Sequence, residues 1–587
     1  MVPLKTLSDL AQALRAFTRL AGGYWVSDKN STPRWLALAL VALTLCQVTV
    51  PILINLWSKR LFDALEQHSM NHLLAMIGAV GVIIAFSVTT TALHLRIKRR
   101  LQLGWRRWLT KKLLDRWLSR ARHYQIAFAP GEHDNPDGRI AEDVRIATEA
   151  AIDLTLSLTY CVLLLIGFTK ILWTLSGAPL VTIAGLSIHV PGYLLYLALV
   201  YAGIATTIAH KLGRPLVSVA NRRQGNEQDF RFGLVQVREH AQAIALMHGE
   251  TTERHRLTSL FAGVRDGWNG QTHALSNMMM FSATYAVLSA AVPFLVAAPR
   301  YIIGAITLGV LMQTAQAFQQ AVGALSWPID NLPRGAEWKA SVERVLSLET
   351  ALRRLTDEIR GHGIVVNSAT QYRSLVFDKV AIADAVGTLL IEPFSIEIRP
   401  GERVLVDGEP RAAVRLFRAV ARAWPWGQGT IGLPSHTRVF FVPDRPFLPR
   451  ATLRGVLSYP ADPETVGSGI AQSALSRVGL DYLYPELDET LNWDEILNAA
   501  EQQRLSFARI LVRRPDWIFL EHATDSLDAG TQAAMLRLII DQLPRATLMT
   551  IGGHDGLEAF HHRKLVLQRN AGITRLREEP IDRAAAQ

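Results

Sequence analysis

Long apolar runs dominate the first 350 residues of this 587-residue chain. A helix needs about 20 mainly apolar residues to cross the hydrocarbon core of a bilayer. Six stretches reach that length, and they lie at 35–57, 73–93, 151–175, 190–210, 278–298 and 302–325. The sequence therefore predicts an α-helical membrane domain with six transmembrane helices.

Basic residues indicate how these spans are oriented. The segments RIKRRLQLGWRRWLTKK and HKLGRPLVSVANRR follow the second and fourth spans, whereas SGAPLVTIAGLSIH, between the third and fourth, carries no Lys or Arg. Because Lys and Arg are enriched on the cytoplasmic side, both termini and the two long connections are predicted to be cytoplasmic. The same residues supply much of the formal net charge of +11, so the lipid bilayer is the expected partner and nucleic acid is not.

The two long connections, each of about 50 to 70 residues, keep helical periodicity through their charged residues. We expect each to be a pair of membrane helices that extend into the cytoplasm and are joined by a short crosspiece. The crosspieces are predicted at GEHDNPDGRIAEDV (131–144) and NEQDFRFGLVQVREH (226–240). Ordinary solvated loops are the alternative. The basic, amphipathic N-terminus is predicted to be an elbow helix on the membrane face.

The C-terminal residues alternate apolar and charged positions as a soluble domain does. The segments SLVFDKVAIAD, TLLIEPFSIEIRPGERVLV and DWIFLEHATDSLD have the pattern of strands bounded by turn residues, and helical patterns separate them. Strands that alternate with helices predict an α/β domain with a partly parallel sheet. The expected organisation is a membrane domain over 1–350, a linker over 351–370 and the α/β domain over 371–587.

This order of segments resembles an ABC transporter of exporter fold. The residues that carry the resemblance are NPDGRIAEDV, DFRFGLVQVREHAQAIAL, WPWGQG, RPFLP, EQQRLSFARILVRRPDWIFL and GGHDGLEAFHHRKL. They are most similar to the SbmA/BacA-like family, in the branch with an attached ATPase domain. The resemblance implies a homodimer in the bacterial inner membrane that imports peptides or other bulky hydrophilic solutes such as cobalamin.

The resemblance also implies a phosphate-binding loop that begins at Gly408. Such a loop uses glycines to aim backbone N–H groups at the phosphates, a lysine to reach the β- and γ-phosphates, and a Ser/Thr hydroxyl to hold magnesium. Here the lysine position falls on Ala413 or Val414, and the hydroxyl position falls on Val414 or Arg415. Arg411 or Arg415 is the candidate substitute for that lysine.

The other site positions that the resemblance implies are changed as well. The glutamine that would contact magnesium is Asp444, and the magnesium aspartate is Glu521. The glutamate that would polarise the attacking water is His522, and only the switch histidine, His554, is retained. The signature that would clamp the γ-phosphate reads LNAAE, with Asn498, Ala499 and Ala500. We therefore expect a degenerate ABC ATPase-like domain that does not hydrolyse ATP and holds no cofactor or metal.

Without hydrolysis, an ion gradient is the expected energy source, since members of the resembled family that lack the ATPase domain are similar to proton-driven importers. A carboxylate near the membrane would then change charge during transport. Asp153 is the best-placed candidate, and Glu149 lies one turn before it on the same helical face. Lys170, inside the third span, either snorkels to the outer surface or takes part in transport.

Two other functions are compatible with the sequence. One is an ATP-driven transporter with an atypical site, which would use ATP and magnesium. The other is a membrane receptor or regulator that transports nothing.

Overall fold

The computed structural model describes residues 15, 17–18, 21–26, 31–129, 135–176, 180–183, 186–189, 191–369, 372–435, 437–552, 556–570 and 572–581. The chain divides into two compact units. The first comprises Met1–Lys111 with Asp137–Leu346, and the second comprises Lys112–Pro136 with Ser347–Gln587. The first unit contains most of the membrane domain predicted over 1–350. Residues 112–136 and 347–350 of that predicted domain belong to the second unit instead.

Helices form almost all of the first unit. The helices, including those that continue into the second unit, are α1 (residues 21–26), α2 (Thr32–Glu66), α3 (Met70–Trp117), α4 (Arg122–Gln125), α5 (Pro136–Gly138), α6 (Val144–Ser176), α7 (Tyr193–Glu239), α8 (Ala241–Leu246), α9 (Glu250–Ile302), α10 (Leu308–Leu325) and α11 (Trp327–His362). Within the described residues, α2, α3, α7 and α9, together with the continuous stretch Pro136–Ser176, are long and apolar enough to cross a membrane. The chain is therefore a multi-pass membrane protein, as predicted.

The sixth predicted span is a different kind of helix. It begins at Leu308 rather than at 302, because α9 runs on to Ile302 and a turn follows. Two hydrogen bonds join it to α2: the Asn55 side chain donates to the backbone carbonyl of Gln313 at 2.9 Å, and the Gln316 side chain donates to the Ser58 hydroxyl at 3.0 Å. Such polar contacts between helices are favourable inside a membrane, so α10 packs as an interior helix.

A glycine sets how closely α10 approaches α2. A Cβ atom added at Gly309 would lie 2.3 Å from the carbonyl oxygen of Lys59. No side chain fits in that space, so the close packing depends on glycine.

The two long connections do form extended helices, but their tips lie elsewhere than predicted. The first crosspiece is a set of short helical turns over Ser119–Phe128, before the predicted segment, and residues 136–144 of that segment are already helical. The second crosspiece is α8, Ala241–Leu246, and most of the predicted tip 226–240 belongs to α7. The connection between the third and fourth spans also differs from a plain loop, because β1 (Leu180–Ile183) pairs with β2 (Leu186–His189) as a hairpin.

The second unit is an α/β domain, as expected. Its strands are β3 (Val365–Ala369), β4 (Leu375–Ala383), β5 (Leu389–Ile398), β6 (Arg403–Gly408), β7 (Gly427–Pro434), β8 (Val439–Val442), β9 (Ala451–Thr452), β10 (Thr490–Leu491), β11 (Trp517–Glu521), β12 (Thr547–Ile551), β13 (Arg563–Asn570) and β14 (Ile573–Glu579). Its helices are α12 (Pro410–Val420), α13 (Leu453–Ser458), α14 (Ser468–Arg477), α15 (Trp493–Ile496), α16 (Ala499–Arg513) and α17 (Ala529–Gln542). Ten strands share one sheet in the order β3-β7-β4-β5-β14-β13-β6-β12-β11-β8.

The sheet is mixed, and its longest run of parallel strands lies at one end. Strands β13, β6, β12, β11 and β8 pair in parallel in that order, whereas β4 pairs antiparallel with both β5 and β7. Residues 351–370, predicted as a linker, lie instead in α11 as far as His362 and in β3 from Val365. Large buried side chains such as Trp424, Phe417, Phe519, Trp493 and Phe507 fill the core of this unit.

Candidate functional site

Three neighbouring parallel strands bring the predicted nucleotide-site positions to one edge of the sheet. Strand β12 lies between β6 and β11, and the carboxyl ends of the two outer strands are Gly408 and Glu521. Ligands of open α/β sheets bind at this edge. The structure therefore brings Gly408 and the residues after it into the same region as Glu521 and His522.

The connection from β6 to α12 is too short to be a phosphate-binding loop. Gly408 ends the strand, Pro410 begins the helix, and only Glu409 lies between them. Gly408 has a φ of 103°, and a Cβ there would meet the carbonyl oxygen of Leu567 at 2.3 Å, so glycine is required for the chain to pass. This glycine serves the tight strand-to-helix turn, and no residues remain to wrap around a phosphate.

Two carboxylates lie at the N-terminus of α12, where a phosphate would be bound. The Glu409 side chain accepts the backbone N–H of Ala412 at 2.5 Å and so caps the helix. Asp407 accepts the N–H of Gly408 at 2.7 Å and forms an ion pair with Lys564 at 3.0 Å. Glu409 thus places a negative charge where the helix dipole would attract an anion.

The candidate lysine positions are unsuited to phosphate binding. Ala413 is buried within the core of the second unit, and Val414 is half-buried. Arg415 lies over the ring of Trp424 at 4.7 Å and donates to the carbonyl of Arg411, so its guanidinium packs along the helix. Arg411 is the exposed cation of the first turn.

The acid at the end of β11 is already paired with a cation. Arg418 of α12 donates to the Glu521 carboxylate at 3.3 Å and also to the Tyr124 hydroxyl in the first crosspiece. Burial raises the pKa of Tyr124, which keeps this phenol protonated. The guanidinium therefore neutralises the carboxylate that would otherwise contact magnesium.

His522 makes a local contact within its own turn. Its backbone has a φ of 52°, and its Nδ1 lies 2.8 Å from Asp525 Oδ2. Gln503 connects this turn with Asp444, because its Nε2 lies 3.3 Å from the backbone carbonyls of both Asp444 and His522. The Asp444 residue itself is exposed. His554 lies outside the described residues.

The signature positions form a self-satisfied helix start. Asn498 accepts the N–H of Glu501 at 2.9 Å, and Glu501 accepts the N–H of Asn498 at 3.0 Å, which is a complete capping box. Ala499 and Ala500 form the first turn of α16. A hydrogen bond from Tyr482 lowers the pKa of Glu501, so a carboxylate remains at this helix start too.

The described residues thus differ from a phosphate-binding loop in three observed features at this edge. The strand-to-helix turn leaves no loop, Glu409 occupies the cap, and Ala413 is a methyl group in the core. The Glu521 carboxylate is paired with the Arg418 guanidinium, whereas binding of a magnesium ion needs an unpaired carboxylate.

The predicted transport residues of the first unit have different environments. Asp153 lines a cavity of about 490 Å³ between α2, α3, α6 and α11. Glu149 lies outside that lining and pairs with Arg99 at 3.9 Å and Arg145 at 4.0 Å. Lys170 is exposed, six residues before the end of α6 at Ser176, and does not line the cavity.

Comparisons with known proteins cover both units. Residues 23–302 match the family of ABC transporter transmembrane region 2. An uncharacterized ABC transporter ATP-binding protein of Haemophilus influenzae is 29% identical over 94% of this chain and 92% of its own length. The inner membrane ABC transporter ATP-binding protein YddA of Escherichia coli is 27% identical, over 91% of this chain and 94% of its own. The chain is therefore similar to ABC transporters along nearly its whole length.

The fold is similar to that of an ABC exporter. A bacterial Atm1-family ABC exporter with ATP bound has a TM-score of 0.67 and covers 93% of the chain at 17% identity. ABC transporter D family member 2 of Arabidopsis thaliana, a chloroplastic protein, is 26% identical over 95% of the chain and 86% of its own length. These matches do not support the narrower resemblance to the SbmA/BacA-like family.

The structure brings together several residues that the sequence does not single out. Glu409 is not among the predicted site residues, and the local signal for its position is Pro410, a residue favoured at the first position of a helix. Lys98 belongs to the basic segment that indicates orientation, and the sequence predicts no role for Arg334. Both contact Asp153, and only the fold shows this, because the three residues lie on three different helices.

Proposed function

We propose that this chain is one subunit of an ABC-type transporter that moves a solute across the bacterial inner membrane. Support comes from the matches that run through both the membrane helices and the α/β domain, and from a relative that is named an inner membrane protein. The expected partner is a second copy of the chain, because six membrane helices per subunit enclose a central pathway only when paired.

On the energy source, the comparisons favour ATP. The H. influenzae and E. coli relatives are both called ATP-binding proteins, and each matches almost the whole chain. ATP-driven transport with an atypical site is therefore the first candidate for the assembled protein.

A cycle driven by an ion gradient is the second candidate, and the geometry of the β6–α12 turn favours it. Glu409 and Asp407 place negative charge at the helix start, and Arg418 neutralises Glu521. In such a cycle the α/β domain would hold the two subunits together without turning over nucleotide.

Sealed, inverted membrane vesicles separate the two candidates. Vesicles with and without the protein are given either ATP with a collapsed proton gradient or an imposed pH gradient without ATP. Labelled cyanocobalamin and a labelled ten-residue peptide serve as probes, since the sequence predicts such solutes. An ATP-driven transporter gives protein-dependent, vanadate-sensitive flux under the first condition only, whereas a gradient-driven one gives flux under the second only. A third labelled probe is 1-naphthaleneacetate, an aromatic carboxylate. If none of the three probes shows protein-dependent flux under either condition, the proposal of transport is contradicted.

A further inference from the structure

The cavity in the first unit contains more positive than negative charge. Asp153 lies on α6, and its carboxylate contacts three neighbours. Lys98 Nζ lies 3.1 Å from Oδ1, Gln102 Nε2 donates to the same oxygen at 2.9 Å, and the Arg334 guanidinium contacts Oδ2. One carboxylate thus serves two cations, which leaves a net charge of +1 in this cluster.

No other carboxylate among the described residues compensates that charge. Asp153 is the one acid in the lining of the cavity. Glu149 is committed to Arg99 and Arg145, and Asp330, one helical turn before Arg334, lies outside the lining. The excess positive charge therefore favours the binding of an anion at this site.

The remaining lining supplies neutral hydrogen-bonding groups and an apolar surface. His94 lies 3.4 Å from the Thr44 hydroxyl, and both side chains line the cavity with Lys98. Val50 and Leu156 contribute apolar walls. At about 490 Å³, the space is within the size range of sites for small organic molecules.

We propose that this cavity binds the anionic group, a carboxylate or phosphate, of a small organic molecule whose apolar body lies against Val50 and Leu156. Lys98 and Arg334 would contact the anion, since both face the cavity and share only one carboxylate. Asp153 competes with the ligand for these cations and so limits its affinity. If the bound molecule is the transported solute, the proposal rests on the proposed function, and the solute is an organic anion with an apolar body.

Binding is measured on the full-length protein in phosphatidylcholine nanodiscs. The probes are 1-naphthaleneacetate and 2-(1-naphthyl)ethanol, which have nearly the same shape and differ in charge. We expect the carboxylate to bind about tenfold more tightly than the alcohol. Lys98→Gln and Arg334→Gln should each weaken carboxylate binding by about tenfold and leave alcohol binding unchanged.

Asp153→Asn gives the sharpest test, because it should have the opposite effect. Asn keeps an oxygen for Gln102 and removes the competing charge, so carboxylate binding should become about tenfold tighter. Arg100→Gln is the matched control, since Arg100 is an exposed cation on α3 that does not line the cavity. Equal binding of acid and alcohol, or weaker acid binding in Asp153→Asn, would overturn the proposal.

A second set of nanodiscs, containing phosphatidylglycerol, identifies the source of the anion. If that lipid displaces 1-naphthaleneacetate and Lys98→Gln abolishes the displacement, the natural occupant is an anionic lipid head group. If it does not displace the probe, the occupant is a soluble anion. Both results are consistent with an anion-binding site. Because these measurements do not depend on flux, binding of the probe without flux in vesicles would contradict only the proposed function.

Discussion

A single carboxylate, Glu409, controls the charge at the N-terminus of α12. Its side chain caps the helix through the N–H of Ala412. We expect Glu409→Gln to raise the affinity for a fluorescent trinitrophenyl-ATP about two- to fivefold, because the neutral amide can still cap while it no longer opposes the helix dipole. Titration of the purified protein measures this. Glu464→Gln, at an exposed position, is the control, and equal affinities of the two variants would show that Glu409 does not face the phosphates.

Also at the residue scale, His561 couples the stability of the α/β domain to pH. Its Nδ1 lies 2.7 Å from the Leu557 carbonyl and its Nε2 lies 2.9 Å from the Thr550 hydroxyl. Burial lowers the pKa of His561 to about 4. The folded state therefore holds a neutral imidazole, and the free energy of unfolding falls by about 1.4 kcal/mol per pH unit as pH drops from about 6 towards 4.

Thermal unfolding of the detergent-solubilised protein at pH 4.5 to 7 checks this linkage. His561→Gln should lose that part of the pH dependence, whereas His562→Gln, at an exposed neighbour, should keep it. Parallel pH profiles for wild type and His561→Gln would show that the imidazole is not held neutral.

At the scale of elements, the first crosspiece is anchored by aromatic rings. Phe128 lies 5.0 Å from the ring of Trp424 and 6.3 Å from that of Trp426, in edge-on geometry. Phe128→Ala should free this segment at a cost of about 1–2 kcal/mol, because such ring pairs contribute beyond their buried area. Hydrogen exchange over 119–128 should accelerate about five- to thirtyfold, with Val386→Ala, at an 85% exposed position, as the control. Unchanged exchange would mean that other contacts hold the crosspiece.

The same crosspiece shows how far the elements could be predicted from the sequence. Periodicity and composition indicated the long helices, the strands and the α/β order, because these depend on local residue patterns. The turn at the tip is made by Arg120 and Ala121, with φ of 50° and 59°, and these residues carry no turn signal. The missing loop lysine could likewise be read from the sequence, but the Arg418–Glu521 pair could not, since it joins a helix to a distant strand.

At the scale of the whole molecule, apolar side chains remain uncovered along the membrane helices. Val82 on α3 and Leu295 on α9 are 71% and 73% exposed in the single chain. Exposed apolar surface of this kind is covered by lipid or by another subunit. The spans could be predicted because they must be long and apolar, whereas the charged cavity could not, because its three charged residues come from three helices.

The orientation of the whole chain can be tested with its own low cysteine content. Cys46 and Cys161 are both free thiols, so replacing them with Ser gives a background without reactive groups. Because basic residues flank the long connections, Arg120→Cys in the first crosspiece should be shielded inside intact cells, and Thr182→Cys in the hairpin should face outward. A membrane-impermeant maleimide should then label the hairpin variant at least about tenfold faster than the crosspiece variant, and this order should reverse in inverted vesicles. Faster labelling of Arg120→Cys in intact cells would show the opposite membrane topology, with the α/β domain outside the cytoplasm.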